Sequence, residues 1–146
     1  MQSPTGIALR AYTSGVAYEP CATEIPGQFK EACFYDQASW WTATFGGAKM
    51  SDVEKYRKAG KLCSGIKAVL YRDACFRGIG NVIGPESGLQ SELAQTWCSV
   101  MPDADSKVLC THEALQHLLQ TTEGKEQLRA LCTSGQIAYN NVCDGI

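Results

Sequence analysis

Cys63-Ser-Gly-Ile-Lys-Ala-Val-Leu-Tyr-Arg-Asp-Ala-Cys75 is the stretch on which the fold turns. On one continuous helix its two cysteines would stand roughly 18 Å apart, at about 1.5 Å per residue. A disulfide needs Cα atoms within about 7 Å. If the two are bonded, the chain must turn back between them, and Gly65 near the first cysteine supplies a place to do so. The stretch then reads as a helix ending near Cys63, a short turn, and a second helix carrying Cys75.

The same arrangement recurs along the chain. The eight cysteines fall at 21, 33, 63, 75, 98, 110, 132 and 143, with gaps of 12, 30, 12, 23, 12, 22 and 11 residues, so short and long spacings alternate. Pairing in order gives Cys21/Cys33, Cys63/Cys75, Cys98/Cys110 and Cys132/Cys143. Each short segment carries a breaker soon after its first cysteine: Pro26-Gly27, Gly65, Pro102 and Gly135. First cysteines of successive pairs lie 42, 35 and 34 residues apart, the period of a helical-hairpin repeat. Disulfide bonding accounts for the even count and the regular spacing. A metal site wants C-x2-C doublets or Cys/His clusters, which this chain lacks. Eight free thiols would leave the regularity unexplained.

The flanks support helices. Ser51-Asp-Val-Glu54 and Ser87-Gly-Leu-Gln90 both read as capping boxes leading toward a first cysteine. Phe34, Ala38, Trp41 and Phe45 form a helical stripe that ends at Gly46-Gly47, and Val108, Leu115, Leu118 and Leu119 crowd another face before Thr121. The expected helices cover about 26–45, 51–63, 66–84, 88–101, 103–120, 123–133 and 135–144, with no period-2 strand. Residues 1–19 show no helical period and read as an N-terminal arm, with Ile7, Leu9, Tyr12 and Tyr18 available to pack against the first hairpin. Residues 20–146 read as a single domain of four cysteine-paired units. The fold class is all-α: disulfide-stapled helical hairpins, stacked as a short α-solenoid or compact bundle.

Composition removes several functions. The 146 residues carry 13 Lys and Arg against 15 Asp and Glu, with no basic cluster to attract phosphate backbones, so nucleic acid is not an expected partner. No apolar run approaches the 18 or so residues of a membrane span. Met1-Gln2-Ser3-Pro4 reads as a start residue placed on a mature protein or an excised domain, with any native signal peptide removed. Signatures of hydrolases, dithiol redox enzymes and nucleotide-binding loops do not occur, and no cofactor or metal is expected.

The run Cys75-Phe-Arg-Gly-Ile-Gly-Asn-Val-Ile83, followed by Ala94-Gln-Thr-Trp-Cys98 and Cys110, resembles a unit of the tandem cysteine-paired helical repeats of secreted bacterial proteins. Those units often read C-h-h-G-h-G-h, and the family has no established activity. The resemblance implies stacked hairpins exported from a bacterial cell, secreted or periplasmic. Where such units often carry His beside the glycines, this chain has Arg77 and Asn81.

The candidate binding residues follow from register. Three positions past the second cysteine the units hold Asp36, Gly78 and Glu113. Stacking would therefore set Asp36, Arg77, His112 and Glu113 along one polar strip. Tyr35 and Trp40 fall off the buried stripe of their helix and are the aromatic anchors for a partner. Against these stand blander expectations: a solvated Asp73–Arg77 pair at i, i+4, burial of Trp40 in a second packing layer, and Gly78, Gly80 and Gly84 as close-approach points between helices. His112 and His117, about 140° apart around a helix, cannot chelate one ion together. The leading expectation is a recognition module for another protein or a larger assembly. A second is an enzyme or small-ligand carrier using Asp36 and Glu113 as a carboxylate pair. An apolar lipid carrier ranks last, because the Cys-Cys and Cys-x-Cys landmarks of plant lipid-transfer proteins are missing.

Overall fold

The computed structural model describes residues 17–46, 49–134 and 143. Among these are six α-helices and no strand: α1 (Gly27–Gly46), α2 (Asp52–Ser64), α3 (Val69–Glu86), α4 (Ser91–Cys98), α5 (Ala104–Gln116) and α6 (Thr122–Ser134). A 3-10 turn, His117–Gln120, joins the last two. Except for Cys143, the helix expected over 135–144 lies outside the described residues, as do Ile7, Leu9 and Tyr12 of the arm. Tyr18 packs edge-on against Trp41, with ring centroids 6.0 Å apart, and its hydroxyl donates to the Leu62 carbonyl at 2.9 Å.

All four bridges pair neighbouring cysteines: Cys21–Cys33, Cys63–Cys75, Cys98–Cys110 and Cys132–Cys143, with Cα–Cα distances of 5.5, 5.6, 5.6 and 5.8 Å in that order. Each closes a turned-back segment, as the breaker residues require. The spacing treats the eight cysteines as equivalent, but their surroundings differ. Cys21, Cys63, Cys75, Cys98 and Cys110 are fully buried, whereas Cys33 keeps 9% of its surface in water. Cys33 is still a core residue, because its disulfide partner Cys21 is fully enclosed and Phe34 beside it is buried. These six cysteines join Trp41, Phe45, Tyr56, Ile79 and Ile83 in one continuous core.

The hairpins stack in two layers. In one, α3 lies between α1 and α5; in the other, α2 and α4 cover the same core. Side-chain size explains the central place of α3. A Cβ at Gly78 would strike the Tyr35 carbonyl of α1, one at Gly80 the Cys110 carbonyl of α5, and one at Gly84 the His117 ring. The bare backbone lets both neighbours approach closely, so α3 is recessed between them. These glycines serve packing, as their helical setting indicated.

Helix ends differ from expectation where tertiary contacts decide them. Ser51 caps α2 by accepting from the Glu54 amide, as its sequence indicated. Ser87 starts no helix. Instead α3 runs on through Pro85, and the Ser87 hydroxyl donates back to the Gly84 carbonyl at 2.8 Å. Gly88 and Leu89 then adopt φ of +67° and +60°, a left-handed reversal that delays α4 to Ser91. Gln127 of α6 fixes that start, since its side-chain amide accepts from the Ser91 amide at 3.2 Å and donates to the Leu89 carbonyl at 3.3 Å. α5 opens with a reciprocal cap between Asp103 and Ser106.

A polar clamp ties α2 to the end of α3. The Glu86 carboxylate accepts from the Tyr56 hydroxyl at 2.6 Å and from Lys55 Nζ at 3.0 Å. Burial alone would raise the Glu86 pKa, but those bonds and the Lys55 charge outweigh it and hold it below its ordinary value of 4.5. Burial first, then Glu86, push the Tyr56 phenol above its ordinary 10.0. The Glu86 contribution to stability is therefore complete above the unfolded value and lost as pH falls through the lowered folded one. The Tyr56 contribution holds below 10.0 and is lost as pH rises toward the raised folded value. Glu86→Gln is expected to lower stability at pH 7 by about 1 kcal/mol, since Glu86 is half exposed, and to shrink the acid limb of a urea-denaturation series. An unchanged acid limb would refute the clamp.

Candidate functional site

Because α3 is recessed, its outer face is the floor of a groove walled by α1 and α5. Gln28, Glu31, Ala32 and Tyr35 line it from α1, Ala74 and Arg77 from α3, and Glu113 from α5, around an open cleft of about 410 Å³. The spacings explain the set. Residues 28, 31, 32 and 35 share one face of α1, and 74 and 77 one face of α3. Two members of the expected polar strip, Arg77 and Glu113, and one of the two expected aromatic anchors, Tyr35, thus converge in space from three successive hairpins.

The electrostatics are set by two linked pairs. Arg77 bridges to Glu31 of α1 at 3.1 Å, not to Asp73 as the i, i+4 spacing suggested. A partner on the neighbouring helix wins because the closely packed layers bring it within reach. The buried Nε of Arg77 has no hydrogen-bond partner. Tyr35 faces Glu113, and its phenol is pushed up to about 12, by burial first and then by the charge and hydrogen bonding of Glu113, with Asp36 adding and Arg77 opposing. The phenol stays protonated over the whole physiological range and acts as a donor.

The other candidates sit apart. Asp36 is exposed and outside the cleft lining, although its charge reaches Tyr35. Trp40 is half-buried and packs against the main core, so its indole is only partly available as an anchor. His112 pairs with Gln116 at 3.3 Å, while His117 meets Asn81 of α3 at 3.0 Å. Among the described residues no group of three or more His, Cys, Asp or Glu side chains could hold a metal ion. With Glu31 engaged by Arg77 and Asp36 outside the lining, the groove holds both donors and acceptors: Gln28, Tyr35 and Arg77 beside the carboxylates of Glu31 and Glu113.

Sequence reading missed the most exposed apolar side chains. Phe29, Val69 and Leu70 are 55%, 58% and 57% exposed. Leu70 stands four and seven residues before Ala74 and Arg77, on the same face of α3, outside the cleft lining itself. The signal was present in the apolar run Val69-Leu70-Tyr71 at a helix start, of which only Tyr71 turns inward to stack on Phe34 at 5.3 Å. The chain matches no family model, no curated protein and no solved structure.

Proposed function

We propose that the protein is an extracytoplasmic recognition module that binds a segment of another polypeptide along the groove over α3. The observation that carries this reading is the convergence of Tyr35, Arg77 and Glu113, from three hairpins, on one open cleft, with the exposed Leu70 on the same face of α3 as Ala74 and Arg77. A stacked-hairpin fold presents such an extended surface as a consequence of its geometry. Four disulfides suit an oxidising compartment outside the cytoplasm. No helix among the described residues is long and apolar enough to cross a membrane. The resemblance to exported bacterial repeats points the same way.

The test is site-specific photo-cross-linking. A photoreactive residue at Ala32, in the lining, is expected to capture a polypeptide from the exported fraction of the producing cell. Tyr35→Ala combined with Leu70→Ser is expected to reduce the yield about tenfold, a loss of about 1.4 kcal/mol. The same residue at the exposed Glu126 of α6 is expected to give no adduct. Capture that ignores Tyr35 and Leu70, or that is equal at both positions, would dismiss the groove. Capture of a small molecule alone would return the reading to a ligand carrier.

A further inference from the structure

The fourth disulfide differs from the other three in its surroundings. The six cysteines of the first three bridges belong to the main core, and even the most exposed of them, Cys33, reaches only 9%. Cys132 and Cys143 are both only partly buried, at the edge of a separate small cluster made by Leu115, Leu118, Leu128 and Leu131. α6, which carries Cys132, packs mainly on the 3-10 turn His117–Gln120. Beyond that turn α6 meets the preceding hairpins through Leu128 and Leu131, which share the small cluster with Leu115 of α5 and Leu89, and through the Gln127 hydrogen bonds at the start of α4, at 3.2 and 3.3 Å.

From these two features, the partial exposure of both cysteines and a peripheral packing unit, we infer that Cys132–Cys143 is a thiol–disulfide exchange site, reducible by a dithiol while the other three bridges persist. Attack requires a thiolate to approach one sulfur in line with the S–S bond, so accessible bridges react first. A peripheral unit that packs on one turn and a small cluster, apart from the main core, also opens locally at a lower free energy than the whole fold. In the first step one thiolate of the dithiol bonds to one cysteine sulfur and releases the other as a thiolate. The second thiol of the dithiol then displaces the mixed disulfide. Two electrons pass to the protein, both cysteines end as thiols after taking up protons, and the dithiol leaves as its own disulfide. The reductant class is a small or protein dithiol.

The experiment uses the full oxidised chain. It is treated with graded dithiothreitol under native conditions, trapped with iodoacetamide and mapped by peptide mass. Cys132 and Cys143 are expected to carry label at least ten times faster than any other cysteine, with the far-ultraviolet circular dichroism largely retained. Simultaneous labelling of all eight, or equal labelling of any other pair, Cys21 and Cys33 included, would overturn the inference. As a second readout, the Cys132→Ser/Cys143→Ser variant is expected to fold with its three remaining bridges formed and its tryptophan emission unchanged, since Trp40, Trp41 and Trp97 all lie with the main core. Failure of that variant to form three bridges would show that the fourth unit is not separable and would also overturn the inference.

Discussion

Removing the second bridge by Cys63→Ala with Cys75→Ala is expected to cost about 3–5 kcal/mol. Cross-linking a loop of about this length takes roughly 3 kcal/mol of chain entropy out of the unfolded ensemble. Both sulfurs are fully buried beside Ile79 and Phe76 in the main core, so their loss also leaves a small void. At roughly 2–4 °C per kcal/mol for a chain of this size, the melting temperature should fall by about 10 °C or more. Calorimetry on the oxidised variant measures it. A drop within a degree or two would mean that the staple contributes little and that helix packing alone holds the second hairpin.

The second large effect falls on a glycine and is a question of sign. Gly80→Ala in an open helix would gain up to about 1 kcal/mol from propensity. At this site the new methyl meets the Cys110 carbonyl and the Glu113 side chain. α3 and α5 must then separate along their length, and overpacking of this kind costs about 1–3 kcal/mol or more. The net expectation is a loss of about 2 kcal/mol. Gly27→Ala, at the start of α1 with nothing near its Cβ position, is the control and should be neutral or slightly stabilising. Urea denaturation of the two variants decides it, and a stabilised Gly80→Ala would disprove the close approach of α3 and α5. Because α3 forms the groove floor, the same variant should also weaken cross-linking from Ala32.

The contrast between those two glycines shows where sequence reasoning was strong. The bridges, the hairpin turns and the helical setting of Gly78, Gly80 and Gly84 are local facts, fixed by spacing and by residues that break helices. The N-cap at Ser51 was equally local. Reading failed where a distant part of the chain intervened. Ser87 has the right neighbours for a cap, yet the reversal at Gly88 and Leu89 and the grip of Gln127 on Ser91 move the helix start past it. Asp103 and Ser106 form a capping box whose acid and hydroxyl stand in the reverse of the usual order, so the pattern did not flag it. Arg77 had a plausible partner on its own helix and took one on the next. Spacing paired Cys33 and Cys132 with their partners equally well, but how much of each sulfur is covered depends on neighbours that spacing does not describe. Of the polar strip, the members drawn together are those that line the recess over α3; Asp36 and His112 share the register but not the face. The exposure of Val69 and Leu70 depends on which face of α3 its neighbours leave open, and that cannot be read from α3 alone.

The nearest-neighbour pairing of the sulfurs has a consequence for biogenesis. Eight cysteines admit 105 complete pairings, and short loops close at the least entropic cost. In this chain the cheapest closures are the native ones, since no bridge spans more than 12 residues. Each partner becomes available within a dozen residues of the first cysteine's emergence, before the next unit arrives. Oxidation can thus follow the order in which the chain emerges, one hairpin at a time, with little demand for an isomerase to correct mistakes.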